Sequence, residues 1–171
     1  MADKPLRPKD AATLLLYRGE GDAVRVLLGQ RHHGHIFMPN AYVFPGGRVN
    51  PDDSRVSPSS PLRADVAARL ERAAAPARAR AIAVAAIRET YEETGLLIAA
   101  GESDTNEWHN KIGPHLGAMD YFFRAITPPN RLRRFDARFF FADASEARGD
   151  LAGDGELQNL AWFSLDEIRD L

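Results

Sequence analysis

The chain has 171 residues, 24 acidic against 22 basic, a net charge of −2 and no cysteine. That length suits one domain with a single core. The even charge offers no bulk attraction to nucleic acid or anionic membrane, and without cysteine any metal must be held by oxygen or imidazole. Hydrophobic residues make up 44% and charged residues 27%, as in folded soluble domains, and no apolar run approaches the roughly 20 residues that cross a bilayer. The first ten residues alternate charge and proline, so a cytoplasmic protein without a secretory signal is expected.

Apolar runs at 12–17 and 24–29 flank Arg18-Gly19-Glu20-Gly21-Asp22 and predict a β-hairpin. A loop carrying His32, His33 and His35 follows, then a short strand at 41–44 that ends on the turn Pro45-Gly46-Gly47. Residues 50–61, dense in Pro, Asp and Ser, predict a loop, and 63–75 a helix stopped by Pro76. A long helix is predicted over 77–94, which has strong helix formers, neither Gly nor Pro, and Ile82, Ala83, Ala86, Ile87 and Thr90 along one face. Gly95 supplies its left-handed C-terminal cap. Beyond it come a short strand at 96–99, a polar loop at 101–110 and a helix at 116–123, although the aromatics there would also suit a strand. Strands are predicted at 125–127 and 137–142, separated by Pro128-Pro129-Asn130 and the basic residues Arg131, Arg133 and Arg134. The last strand is 157–163, and Ser164-Leu165-Asp166-Glu167 is a capping box that opens a helix of barely one turn. So short a helix is marginal alone, which creates the expectation that the natural chain continues past Leu171.

The chemistry concentrates in Arg88-Glu89-Thr90-Tyr91-Glu92-Glu93-Thr94-Gly95. Glu89, Glu92 and Glu93 stand at i, i+3 and i+4, so three carboxylates share a helix face within about 5–6 Å of their neighbours. Such crowding is common on solvated surfaces, but a divalent cation turns it into a binding site of hard oxygen ligands. The glycines of Phe44-Pro45-Gly46-Gly47 let a backbone carbonyl approach such an ion closely.

These residues resemble the Nudix hydrolase family, whose box reads G-x5-E-x7-R-E-U-x-E-E-x-G-U, with U bulky and apolar. Arg88, Glu89, Glu92, Glu93, Gly95 and Leu96 match the second half, with Thr90 departing at the first U. Gly47 matches the leading glycine, but it lies 41 positions before Arg88, 27 more than the box allows. Asp53, six residues after Gly47, or its neighbour Asp52, stands where the family has glutamate. A box split in this way, with Gln30-Arg31, Phe37-Met38-Pro39, the run from Ile126 to Phe140, and Trp162 to Ile168, resembles the subgroup of peroxisomal coenzyme A diphosphatases.

The resemblance implies one α/β domain over 1–171. Its architecture would be a Nudix-type α/β/α sandwich with a mixed curved sheet, and an insertion at roughly 50–76 would project near the site as a substrate gate or a homodimer contact. It implies Mg2+ or Mn2+ held by Glu89, Glu92, Glu93 and the Gly46 carbonyl, with Arg88 orienting the carboxylates. A distant glutamate, Glu156 or Glu146, would complete the site or act as base, and Arg31, Arg131 and Arg134 would bind the phosphates of a small diphosphate substrate such as coenzyme A, ADP-ribose, a dinucleoside polyphosphate or an oxidised nucleotide. A non-catalytic module that senses a nucleotide is the rival reading. The three histidines suggest zinc only weakly, since no acid or thiol supports them, and Phe139 to Phe141 are read as sheet core.

Overall fold

The computed structural model describes residues 6–34, 38–100 and 113–171. The chain folds as a mixed α/β unit, and the strand that organises it is β1 (Lys9–Arg18). Its even positions Leu14 and Leu16 are fully buried while Thr13, Leu15 and Tyr17 are only partly covered, the period of two expected of a strand with one core face. The turn at Gly19 to Asp22 leads into β2 (Arg25–Arg31), which pairs antiparallel with β1 through Tyr17–Val26 and Arg18–Arg25 and then splays away.

The wedge between the two strands is filled by the chain over 42–48. β3 (Tyr42–Val43) pairs with β2 at Gly29 and Gln30, and β4 (Gly46–Arg48) crosses over to pair with β1 at Ala11 to Thr13. The glycine turn of the sequence is thus itself a strand. Glycine is needed there, because a Cβ on Gly46 would lie 2.5 Å from the Ala12 carbonyl oxygen.

A 3-10 turn (Pro51–Ser54) and helix α1 (Ala64–Glu71) then lead to α2 (Pro76–Thr94). Pro76 occupies the first turn of α2, where its missing N–H costs nothing. Gly95 ends the helix at φ 76°, as its position predicts. The expected single apolar face is exceeded: Ala81 to Arg88 are all buried, because the sheet, α1 and the segment around Leu116 enclose the helix.

β5 (Leu97–Ile98) pairs with β8 (Ala147–Arg148). The helix expected at 116–123 is instead a 3-10 turn (Leu116–Ala118) followed by β6 (Asp120–Ile126). Pairing with β7 (Phe135–Asp143) overrides the local helical spacing, and the aromatics are what the strand uses. β7 in turn runs parallel to β1 over nine positions. β9 (Leu157–Ser164) borders β2, giving the order β3-β2-β1-β7-β6 with β4 on β1 and β9 on β2. Helix α3 (Leu165–Arg169) opens on the expected capping box, with both reciprocal Ser164–Glu167 hydrogen bonds present. The loop expected at 101–110 and the residues His35 and Phe37 lie outside the described residues. Among the described residues no helix is long and apolar enough to cross a membrane.

Candidate active site

The C-terminal half of α2 lies over the wedge where β1 and β2 diverge, and β4 presents its two glycines to it. Glu93 is 5% exposed and accepts the Gly46 amide hydrogen at 2.8 Å. Glu89 leans on Gly47, where a Cβ would overlap its carboxylate and push that side chain from its present position. At Gly46 it is the amide that the structure shows bonded to Glu93, whereas the sequence pointed to the carbonyl.

Arg88 organises the carboxylates from beneath. It is 7% exposed. Its Nε and Nη2 donate to the two oxygens of Asp53 at 2.7 and 3.1 Å, Nη2 also donates to the Arg48 carbonyl at 2.9 Å, and Nη1 meets Glu92 at 2.8 Å and Glu89 at 2.9 Å. Burial opposes the charge of Arg88, but the Asp53 hydrogen bonds and the carboxylates of Glu89, Asp53 and Glu92 outweigh it and raise its pKa. Asp53 is itself 1% exposed and closes a capping box on Asn50. Of the two aspartates the spacing allowed, Asp53 faces Arg88, while Asp52 is exposed and pairs with Arg55.

Electrostatically the pocket holds surplus negative charge. Burial, reinforced by the charges of Glu89, Glu156 and Asp154 and opposed by the Gly46 hydrogen bond, pushes the Glu93 carboxyl up to about 8. Burial also raises Glu89, against the pull of Arg88. Glu156 lies exposed at the end of the loop before β9, yet near enough for its charge to act on Glu89, Glu93 and Arg31. Arg31, at the end of β2 and in register with Leu157, feels Glu93 and Glu156, although burial lowers its pKa overall.

The loop over 150–156 is tied to the helix end by bonds from the Ala152 amide to Thr94 and the Asp154 amide to Glu92. Between them runs an open groove lined by Tyr91, Glu92, Asp150 and Asp154. Asp154, absent from the sequence reading, carries no motif and reaches the site only through this loop.

Two sequence candidates stand elsewhere. Arg134 donates from Nε to the Thr127 carbonyl at 3.0 Å and from Nη1 to the Leu6 carbonyl, closing the β6–β7 hairpin, and Arg131 is exposed in that hairpin. Both lie at the end of the sheet where Asp10 anchors Arg78. Arg78 and Glu93 are fifteen residues apart on α2, roughly 22 Å of helix, so the hairpin arginines are not brought to the carboxylates. Glu146 is exposed in the 3-10 turn Ala144–Glu146. The rings of His32 and His33 lie 3.9 Å apart, tilted by 40°.

The oxygen-only donor set suits a hard divalent cation. Glu93 is buried among other carboxylates with its charge poorly compensated, and the glycine cradle holds Glu89 beside it. Among the described residues no three acidic or histidine side chains close into a cage by themselves, since Glu89 and Glu92 turn to Arg88.

No protein-family model matches the sequence, and no curated relative does. Solved structures do match. A Nudix hydrolase from Alicyclobacillus acidocaldarius superposes with a TM-score of 0.69 and 26% identity over 92% of this chain and 79% of that one. A MutT protein from Methanosarcina mazei Go1 gives 0.57 at 17% identity, over 100% and 86% of the two chains. A MutT Nudix hydrolase from Burkholderia pseudomallei gives 0.54 at 17%, over 95% and 87%. The first likeness supports a hydrolase, and together they show that this chain has the fold of the Nudix hydrolases.

Proposed function

We propose that the protein hydrolyses the diphosphate linkage of a nucleoside diphosphate derivative with the help of Mg2+ or Mn2+. The observation that carries this reading is the set of Glu89, Glu92 and Glu93 braced on Arg88–Asp53 beside Gly46-Gly47, in a fold shared with Nudix hydrolases.

Glu89, Glu92 and Glu93 would hold the metal, with the Gly46 carbonyl and Glu156 completing the set. A bound divalent cation neutralises phosphate charge and lowers the pKa of water. The protein's own part is positioning. Arg88, locked by Asp53, fixes where the Glu89 and Glu92 oxygens point. The Gly46 amide holds one Glu93 oxygen and leaves the other to the site. Arg31, on the β2 side of the carboxylates, would meet substrate phosphate. Because phosphoryl transfer depends mostly on positioning and charge stabilisation, this arrangement supplies what the reaction needs. Coenzyme A or an acyl-coenzyme A is the first substrate to try, on the strength of the split box and the downstream sequence runs.

The test is a panel of diphosphates incubated with Mg2+, followed by release of phosphorylated products. Glu92→Gln with Glu93→Gln is expected to abolish turnover while far-UV circular dichroism stays unchanged. Full turnover in that variant would remove these carboxylates from the reaction.

A further inference from the structure

Among the described residues three that are not glycine hold a positive φ: Met38 at 50°, Asn40 at 61° and Asn159 at 51°. Asparagine tolerates this left-handed backbone better than most residues do, methionine poorly. Such backbone persists where the surroundings enforce it, and it collects at functional sites. All three residues gather at the end of β2, where Arg31 stands. The Met38 carbonyl accepts the Ala41 amide, the Asn40 amide donates to the Arg31 carbonyl, and the Asn159 side chain donates to Gln30.

The strand end is held from two sides. On one, the chain over 38–41 folds back on Arg31, whose amide donates to the Ala41 carbonyl at 3.0 Å and whose carbonyl accepts the Asn40 amide at 3.2 Å. On the other, β9 carries a β-bulge. Its pairing with β2 steps from Leu28–Ala161 to Gln30–Gln158, so β9 advances three residues where β2 advances two. Left-handed Asn159 takes up the extra residue. Leu157 and Leu160 then both close over Gly29, where a Cβ would lie 2.8 Å from each.

Gln30 ties the two sides together. Its Nε2 donates to the Asn40 carbonyl at 2.9 Å, and its Oε1 accepts the Asn159 amide at 2.9 Å. Successive strand residues point to opposite faces, so Gln30 braces β2 from behind while Arg31 turns to the face where the charges of Glu93 and Glu156 act on it. Glu156 directly precedes Leu157, the register partner of Arg31. Both Gln30 bonds lie near the surface and add little to stability. What they fix is where the end of β2 stands against the start of β9.

We propose that Gln30 and Asn159 are positioning residues for the substrate: their hydrogen bond, with that of Gln30 to Asn40, sets the strand end that presents Arg31 to a phosphate. The proposal rests on Arg31 meeting phosphate in the reaction proposed above. A strand end ordered before the substrate arrives leaves more of the binding free energy for the phosphate itself. The left-handed residues are the backbone geometry that lets a loop and a bulge reach one glutamine from both sides.

Two variants test it. Gln30→Met keeps most of the side-chain volume and removes both bonds, and Asn159→Gly keeps the left-handed backbone and removes only the amide. Each is read by steady-state kinetics on the diphosphate that is turned over, and by isothermal titration calorimetry with methylenediphosphonate, whose P–C–P bridge resists hydrolysis, in saturating Mg2+. KM and the methylenediphosphonate Kd are expected to rise about tenfold, within the weight of one charge-assisted hydrogen bond. The kcat should stay within about twofold, since the lost binding is common to ground and transition states. The double variant is expected to be no weaker than either single one, and Gln30→Met to change nothing further once Arg31→Ala is present. Unchanged Kd in both single variants, or an equal loss in the Arg31→Ala background, would overturn the proposal. So would a fall in Tm and kcat that is the same in both backgrounds, the mark of a merely structural role, or a wild-type chain that does not bind methylenediphosphonate. If no diphosphate is turned over, the reaction fails by itself and the calorimetry still decides the role of Gln30.

Discussion

Asp53 is the residue on which the site's geometry turns, because it takes the Nε and Nη2 donors of the buried Arg88 and so fixes the guanidinium plane. Asp53 takes two of the guanidinium's bonds, and the remaining donors reach Glu89, Glu92 and the Arg48 carbonyl. Removing one member of a buried pair costs about 3–5 kcal/mol, and the surviving carboxylates keep the loss near the lower end. Asp53→Ala is therefore expected to lower stability by about 3 kcal/mol, a fall in Tm of roughly 6–12 °C for a chain of this size. Turnover should fall as well, since Arg88 no longer fixes Glu89 and Glu92. Differential scanning calorimetry and the diphosphate assay check the two effects; an unchanged Tm would mean that Arg88 finds equal partners elsewhere. Asp53 was legible as one of two aspartates at the right count from Gly47. The choice between them came from the fold, because only the 3-10 turn decides which side chain faces inward.

At the scale of elements, the end of α2 and the loop after β8 act as one piece. Gly95 sits at φ 76°, and a Cβ there would lie 2.5 Å from the Asp150 carbonyl oxygen and 2.9 Å from that of Ala152. Gly95→Ala meets both the cost of a left-handed residue, roughly 1–2 kcal/mol, and a backbone overlap that moves the loop. Since that loop carries Asp154 and Glu156 toward Glu93, the variant is expected to lose about 2 kcal/mol and to bind Mn2+ more weakly, read by chemical denaturation and metal titration. Undiminished metal binding would separate the loop from the site. This helix and its cap were legible because their signals are local: propensity, a run without Gly or Pro, and a glycine at the right place. β4 and β6 were not, because a two-glycine turn and a helix-spaced segment become strands only through partners far along the chain, β1 and β7. The role of Arg134 was hidden for the same reason, its carbonyl partners lying at Thr127 and Leu6.

For the whole molecule the consequence is a linkage among pH, stability and metal. Glu93 has its carboxyl pushed up to about 8 in the metal-free fold, whereas an unfolded chain holds it near 4.5. Between these values the folded state binds more protons than the unfolded one, so Glu93 makes stability decrease as pH rises from about 4.5 to 8. At the other end of α2 the sign is reversed. Burial alone would raise Asp10 and Asp136, but Arg78 on Asp10 and Arg124 on Asp136, together with Arg138, hold both below the ordinary carboxylate range. Their contribution is present above pH 4 and is lost as pH falls below it, so the metal-free protein should be most stable in the mildly acidic range between these two effects. A divalent cation needs Glu93 ionised. Apparent affinity for Mn2+ is thus expected to climb with pH, by up to about tenfold per unit below 8, and then to level off. Saturating metal should also raise Tm more at pH 8 than at pH 6, because it stabilises the folded state as RT ln(1 + [L]/Kd). Thermal melts at these two pH values with and without Mn2+ read both slopes. Glu93→Gln should flatten the loss of metal-free stability between pH 4.5 and 8 and strongly reduce the pH dependence of the metal shift, whereas a wild-type metal shift that is equal at both pH values would show that a carboxylate other than Glu93 receives the cation.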